Sequence, residues 1–194
     1  NRSFVTMFVD YNHNRLKEVV HGKSSDELFS ALKHIPGREN VKVATMDLCD
    51  PYKSFVKNFF PNAQITADKF HVLRLLNPAI NRYRKEITGD KRTNPVRKLL
   101  LRNGKKLSFF ERSALYKWLD IYPLMKELYH LKEALHGFYR IRGYNKATYA
   151  LTKITDRMAL SNIKEIKTLR ATLLKWRCEI LNYFNFKVTN ARTE

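Results

Sequence analysis

Residues 41–72 read VKVATMDLCDPYKSFVKNFFPNAQITADKFHV, and the order of elements in this stretch decides the fold. Residues 41–47 form a β-rich run, Pro51 opens a short helix over 51–60, and 64–68 form a second β-rich run. A helix between two strands implies a parallel crossover. Parallel neighbours bring their carboxyl ends to one edge of a sheet, so Asp47 and Asp68, which close the two runs, are expected side by side. Two such acids are hard oxygen ligands for a divalent ion. On the residues alone a plainer reading also stands, in which Asp47 caps the next helix and Asp68 sits in a solvated loop. Asp50, ahead of Pro51, reads as the N-cap of the 51–60 helix.

Upstream of this stretch, residues 4–9 and 15–20 are short β-rich runs around Tyr11, Asn12, His13 and Asn14, which predicts a β-hairpin. Ser24 with Glu27 makes a capping box, and Leu28, Phe29, Leu32 and Ile35 keep helical spacing as far as Pro36 and Gly37. Residues 1–71 therefore read as β-β-α-β-α-β, a mixed sheet. Downstream of Phe70 the pattern turns helical. Val72, Leu75, Leu76, Ala79, Ile80 and Tyr83 share one face, and Ser108 with Glu111 is a second capping box ahead of Leu115, Trp118 and Leu119. Further helices are predicted over 123–136, 145–159 and 163–184, with Gly104, Gly137 and Gly143 at the breaks.

The charge divides at the same place as the patterning. The 194 residues carry a formal net charge of +19, with 10 Lys and Arg against 8 Asp and Glu in residues 1–71, and 27 against 10 beyond them. Such an excess points to a polyanion, nucleic acid above all, with a solvated basic surface as the plain alternative. The densest stretch holds Arg74, Arg82, Arg84, Lys85, Lys91, Arg92, Arg97, Lys98, Arg102, Lys105 and Lys106, all candidate DNA contacts. Arg140, Arg142 and Lys146 around Gly143 form a further basic loop. Tyr83, Phe109, Phe110, Tyr116, Trp118, Tyr139, Tyr144 and Trp176 either stack on unpaired bases or fill the core. A hydrophobic fraction of 44% is enough for that core and argues against disorder. No apolar run approaches the roughly 18 residues of a membrane span, and no signal peptide opens the sequence, so a cytoplasmic location is expected. Cys49 and Cys178 belong to no metal-ligand spacing and read as ordinary thiols.

Several motifs fall in a recognisable order: Val9-Asp10 before the hairpin turn, the Tyr52 helix, Pro61-Asn62-Ala63 leading to Ile65, Ala67-Asp68 and Phe70-His71, and the terminal Thr189-Asn190-Ala191-Arg192-Thr193-Glu194. This order resembles the DDE transposases of bacterial insertion sequences, in the ISL-three family with its D-x-x-H motif. The resemblance implies an RNase-H-like mixed sheet interrupted by a large all-α basic insertion domain, and an enzyme that cleaves DNA and transfers its strands. It divides the chain into a partial catalytic core at 1–71, the insertion at 72–187, and the start of the segment carrying the catalytic Glu at 188–194. Asp47 matches the second catalytic Asp, Glu194 the catalytic Glu, and both would hold Mg²⁺, with Mn²⁺ able to substitute. Asp68 and His71 match the D-x-x-H pair, with His71 either a ligand or a hydrogen-bonding group that orients the site. The implied partners are double-stranded DNA, at transposon ends and target, and further copies of the chain; the implied setting is the bacterial cytoplasm close to the nucleoid.

One expectation departs from that pattern. The family's first catalytic Asp lies on a central strand that precedes the hairpin, so it is expected upstream of Asn1, and Asp10 is the alternative metal candidate or a turn acid. The chain lacks an initial Met and stops on Glu194, which predicts a fragment inactive alone, with a split sheet or a borrowed strand. Two other readings of the same residues stand: a non-catalytic nucleic-acid-binding or assembly module, and an RNase-H-like nuclease without strand transfer.

Overall fold

The computed structural model describes residues 4–89 and 94–188. Its first strands, β1 (Val5–Asp10) and β2 (Arg15–His21), pair antiparallel as the predicted hairpin. Asn14 takes the left-handed φ of 50° that the turn needs and that Asn tolerates. The register slips between Phe8 and Val9, leaving Lys17 as an extra residue that bends the ribbon. Next comes α1 (Ser25–Leu32), capped by the reciprocal Ser24–Glu27 box and burying Leu28 and Leu32.

β3 (Val43–Met46), α2 (Asp50–Phe59) and β4 (Gln64–Ala67) form the expected parallel crossover, with Val43 opposite Gln64 and Met46 opposite Ala67. The N-cap of α2 is Cys49 rather than Asp50, which is instead the first helical residue and pairs with Lys175 at 2.5 Å.

The expected mixed sheet is divided. β1 and β2 form one two-stranded sheet, and β3 and β4 form another. In the hairpin the Gly22 N–H donates to the Phe4 carbonyl, so by alternation the backbone groups of Val5 and Met7 point away from β2. In the second sheet the Lys42 and Met46 carbonyls accept from Gln64 and Asp68, so those of Val43 and Thr45 point away from β4. Among the described residues no backbone hydrogen bond joins these two outer edges. α2 links the two sheets instead: the Tyr52 hydroxyl meets Thr6 Oγ1 at 2.9 Å, and Phe55 meets Phe8 edge-on with centroids 5.8 Å apart.

From residue 69 onward the described chain is helical: α3 (Lys69–Arg74), α4 (Asn77–Thr88), α5 (Pro95–Leu101), α6 (Phe109–Ile121), α7 (Pro123–Phe138), α8 (Tyr144–Ala159), α9 (Lys164–Lys175) and α10 (Arg177–Phe186). Two predicted helices are each broken in two. The face from Val72 to Tyr83 is interrupted ahead of Pro78, whose missing N–H suits the first turn of a new helix. The 163–184 run breaks at Trp176, buried to 3% exposure with φ −102° and ψ 17°. That break turns α10 onto β4, where Asn182 Nδ2 donates to the Ile65 carbonyl at 2.8 Å. Gly137 lies inside α7 and breaks nothing.

A single buried apolar cluster joins the halves, running from Phe55, Ile65 and Ala67 through Leu128, Leu135 and Phe138 to Leu151, Leu173 and Ile180. Each fully buried side chain of this kind contributes about 1.5–3 kcal/mol relative to an exposed one. No helix among the described residues is long and apolar enough to cross a membrane.

Candidate functional site

The register of β3 and β4 builds the site. Met46 and Ala67 are paired at the carboxyl ends of the two strands, so the next residues, Asp47 and Asp68, emerge together. The Asp68 N–H donates to the Met46 carbonyl at 2.7 Å, which ties the two ends down. Asp68 then serves as N-cap of α3, its Oδ2 accepting from the His71 N–H at 3.0 Å. One helical turn therefore brings the His71 ring back over both strand ends.

His71 Nδ1 lies 2.9 Å from Asp47 Oδ1 and 3.3 Å from Asp68 Oδ2. Hydrogen bonding to Asp47, and then to Asp68, pushes the His71 pKa up to about 10 against the opposing effect of burial. The ring is therefore an imidazolium near neutral pH, donating from Nδ1 to both carboxylates. The surroundings of the two acids differ: Asp68 is 1% exposed, whereas Asp47 is 41% exposed. Asp68 is a buried post, and Asp47 faces solvent and anything that approaches from it.

Asp47, Asp68 and His71 each offer one ligand atom, and these atoms lie within 4.8 Å of one another. That spacing fits one divalent cation, and the paired carboxylates are the hard oxygen donors that Mg²⁺ and Mn²⁺ prefer. A protonated His71 ring has no lone pair to offer, so the two carboxylates are the metal donors here, and His71 ligates only after it gives up its proton.

The other predicted site residues are distributed differently. Asp10 is spent on the hairpin turn: its Oδ1 accepts from the Asn12 and His13 N–H groups and its Oδ2 bonds His13 Nδ1 at 2.8 Å, chiefly the last of which lowers its pKa to about 2. It takes no part in the Asp47, Asp68 and His71 group. Glu194, Lys91 and Arg92, like all of 189–194, lie outside the described residues. Arg84 is corrected as a DNA contact, because it is buried to 1% exposure and its Nη1 donates to the Gly89 carbonyl at the end of α4. Arg82 is ion-paired with Glu165, and Arg102 with Glu111 at 2.8 Å. Arg74, Lys85, Lys98, Lys105, Lys106, Arg140, Arg142 and Lys146 are exposed, and Arg97 is half-buried. Of the aromatics, Phe109 and Phe110 are 80% and 81% exposed, whereas Tyr139 and Trp176 belong to the core.

Tyr139 is a neighbour that periodicity hides. It caps the end of α7 with a buried hydroxyl that has no hydrogen-bond partner among the described residues, and burial together with the Asp68 charge raises its pKa. Its place in a helical apolar pattern marks it only as core.

A family model described as a transposase, of the ISL-three DDE type, matches residues 1–194. No curated protein and no solved structure matches the chain.

Proposed function

The chain belongs to the ISL-three transposase family, and from that premise we propose that it is part of a metal-dependent DNA strand-cleaving and strand-transferring centre. The observation that carries this reading is the parallel β3–β4 pair, which sets Asp47 and Asp68 together at one sheet end with His71 across both. Transposase families generally work with a divalent metal ion, and Mg²⁺ or Mn²⁺ is the choice that suits these donors. When bound, such ions activate the attacking hydroxyl and stabilise the leaving 3′-oxygen of an in-line phosphodiester displacement.

The residues divide the work by their exposure. Asp47, half in solvent, is the catalytic carboxylate that holds metal, with Glu194 as its partner in the same role. Asp68 is too buried to meet a phosphate, so it orients His71, and His71 in turn orients Asp47. The outer edges of β1 and β3, which no other strand among the described residues pairs with, are the places where an RNase-H-like sheet takes one further strand, which would also carry a third carboxylate to the site. DNA, at the element's ends and at its target, is the substrate. The basic helical half is the insertion that holds it, and two ends imply an assembly of more than one copy.

The test is nicking of duplex DNA carrying the element's ends by the intact transposase, with Mg²⁺ or Mn²⁺, comparing wild type with Asp47→Ala and Glu194→Ala. Loss in both variants, with Asp50→Asn still active, supports the reading. Equal activity throughout would leave a DNA-binding module without chemistry. Nicking without joining of a 3′-hydroxyl to target DNA would leave a nuclease.

A further inference from the structure

The segment between α5 and α6 places two lysines and two phenylalanines in one short run, Lys105-Lys106-Leu107-Ser108-Phe109-Phe110. Lys105 and Lys106 are exposed in a single 3₁₀ turn and make no ion pair among the described residues. Phe109 and Phe110 open α6 with their rings edge to face, centroids 5.7 Å apart, and the two residues are 80% and 81% exposed. Leu107, buried to 5% exposure, anchors the run between the two pairs. Leaving two adjacent phenyl groups in water forgoes their burial; other apolar side chains of this half, such as Leu160 and Ile121, are also exposed, but these two are neighbouring rings in mutual contact.

The run is also held rigidly from below. Lys132, 1% exposed on α7, donates from Nζ to the Arg102 carbonyl at 2.5 Å and pairs with Glu133 at 2.8 Å. Glu133 Oε1 accepts from the Gly104 N–H at 3.0 Å. A Cβ on Gly104 would stand 2.8 Å from the Tyr129 hydroxyl oxygen and 2.9 Å from Glu133 Oε2, so a larger residue there would have to push those two side-chain ends aside. Arg112 Nη2 donates to the carbonyls of Gly104 and Leu107, and the Ser108–Glu111 capping box fixes the start of α6. The two acids at this run are both paired, Glu111 with Arg102 and Glu133 with Lys132, each at 2.8 Å.

We propose that Lys105, Lys106, Phe109 and Phe110 form a contact site for DNA whose base stack is interrupted, the lysines on phosphates and the phenyl rings on unpaired bases. This rests on the transposase reading, which supplies DNA as the partner. Cations beside exposed rings are the pattern that binds unpaired strands, because every base offers a flat apolar face next to a charged backbone. A fully stacked duplex shows a side chain only phosphates and groove edges, so it leaves the rings unused. Lys132 and Glu133 are positioning residues: they order the loop before DNA arrives, which spares that cost on binding.

The experiment compares binding of this chain to a blunt fluorescent duplex and to the same duplex with a mismatched, frayed end, over a series of salt concentrations. Wild type is expected to prefer the frayed end, by about 5- to 150-fold for each base stacked. Phe109→Ala with Phe110→Ala removes that preference and leaves duplex affinity and its salt slope unchanged. Lys105→Gln and Lys106→Gln each lower the duplex salt slope by about 0.9 and weaken both substrates. Glu133→Ala separates positioning from charge. Deleting a negative charge should tighten DNA binding by electrostatics alone, whereas release of the loop weakens it, and Glu133→Gln, which keeps the acceptor for Gly104, restores part of the loss.

Duplex binding without a frayed-end preference, or a preference that survives loss of both rings, overturns this inference and leaves the transposase reading standing. So does a change of oligomeric state in the phenylalanine variants with DNA binding unaltered, since the rings would then join protein to protein. Absence of any DNA binding would remove the reading beneath it.

Discussion

The hairpin and helix α7 use apolar residues to opposite ends. Val5, Met7, Leu16 and Val19 stand about half exposed on one face of the ribbon, whereas Met125, Leu128, Leu131 and Leu135 on α7 are almost wholly buried. A helix satisfies its own backbone and needs only a neighbour for its apolar stripe, which the helices around α7 supply. A strand needs a partner on each edge as well as cover on each face. Among the described residues β1 and β3 are each paired along one edge, and the α/β unit also holds the carboxylates. Charge divides the same way, with the excess of Lys and Arg on the helices and near-balance around the acids. A cluster able to hold a cation is better placed where positive charge is scarce.

The sharpest way to break this contrast is Asp47→Ala. Activity of the intact transposase should fall by about a thousandfold, the several kcal/mol of charge stabilisation that a metal carboxylate supports. Thermal melting should move little, because Asp47 is 41% exposed. A melting loss as large as a core mutation would make Asp47 a structural residue.

Packing gives the next effect. Leu128→Ala, at a fully buried position, should cost about 3–5 kcal/mol in chemical denaturation. Val19→Ala on the open hairpin face should cost less than about 0.5 kcal/mol. Equal costs would show that something covers the hairpin. Ser108→Ala, which removes the cap of α6, should cost about 1 kcal/mol, with loss of helical circular dichroism to match.

The pH dependence of His71 is smaller, because nearly half of the side chain meets water. Its folded pKa, about 10, lies above the ordinary value of 6.5, so its contribution is complete below pH 6.5 and is lost as pH rises through 10. In metal-free buffer the wild type should lose stability to denaturant across that window more steeply than His71→Gln. Parallel curves would mean that the imidazolium is not held by Asp47 and Asp68. Smallest of all, Lys175→Ala breaks an exposed pair with Asp50 and should change stability by less than about 0.5 kcal/mol.

Much of the local structure was legible because its causes are local. The Ser24–Glu27 and Ser108–Glu111 boxes and the hairpin turn follow from neighbours within a few residues, and the crossover from β3 through α2 to β4 follows from the order strand, helix, strand. The helix breaks at Leu75–Leu76 and Trp176 were hidden, since apolar spacing runs through them and the break serves packing against distant partners. Arg84 looked like its basic neighbours, and only its turn on α4 makes it a buried cap. For the site, Asp47 and Asp68 were legible as strand ends, and the family resemblance identified His71 with them. The sharing of one imidazolium between two acids of unequal exposure was not legible, because burial depends on what the rest of the chain lays over a residue.

The sequence by itself determined the element order, the basic bias of the helical half, the pairing of Asp47 with Asp68 and membership of a transposase family, all written in spacing, composition and motif. Only the tertiary structure decided that the described strands form two sheets, that Asp68 is a post while Asp47 faces solvent, and that Phe109 and Phe110 are left exposed. The physical reason is that periodicity and propensity act over a few residues, whereas exposure, edge pairing and the sharing of a proton are set by groups far apart in the chain.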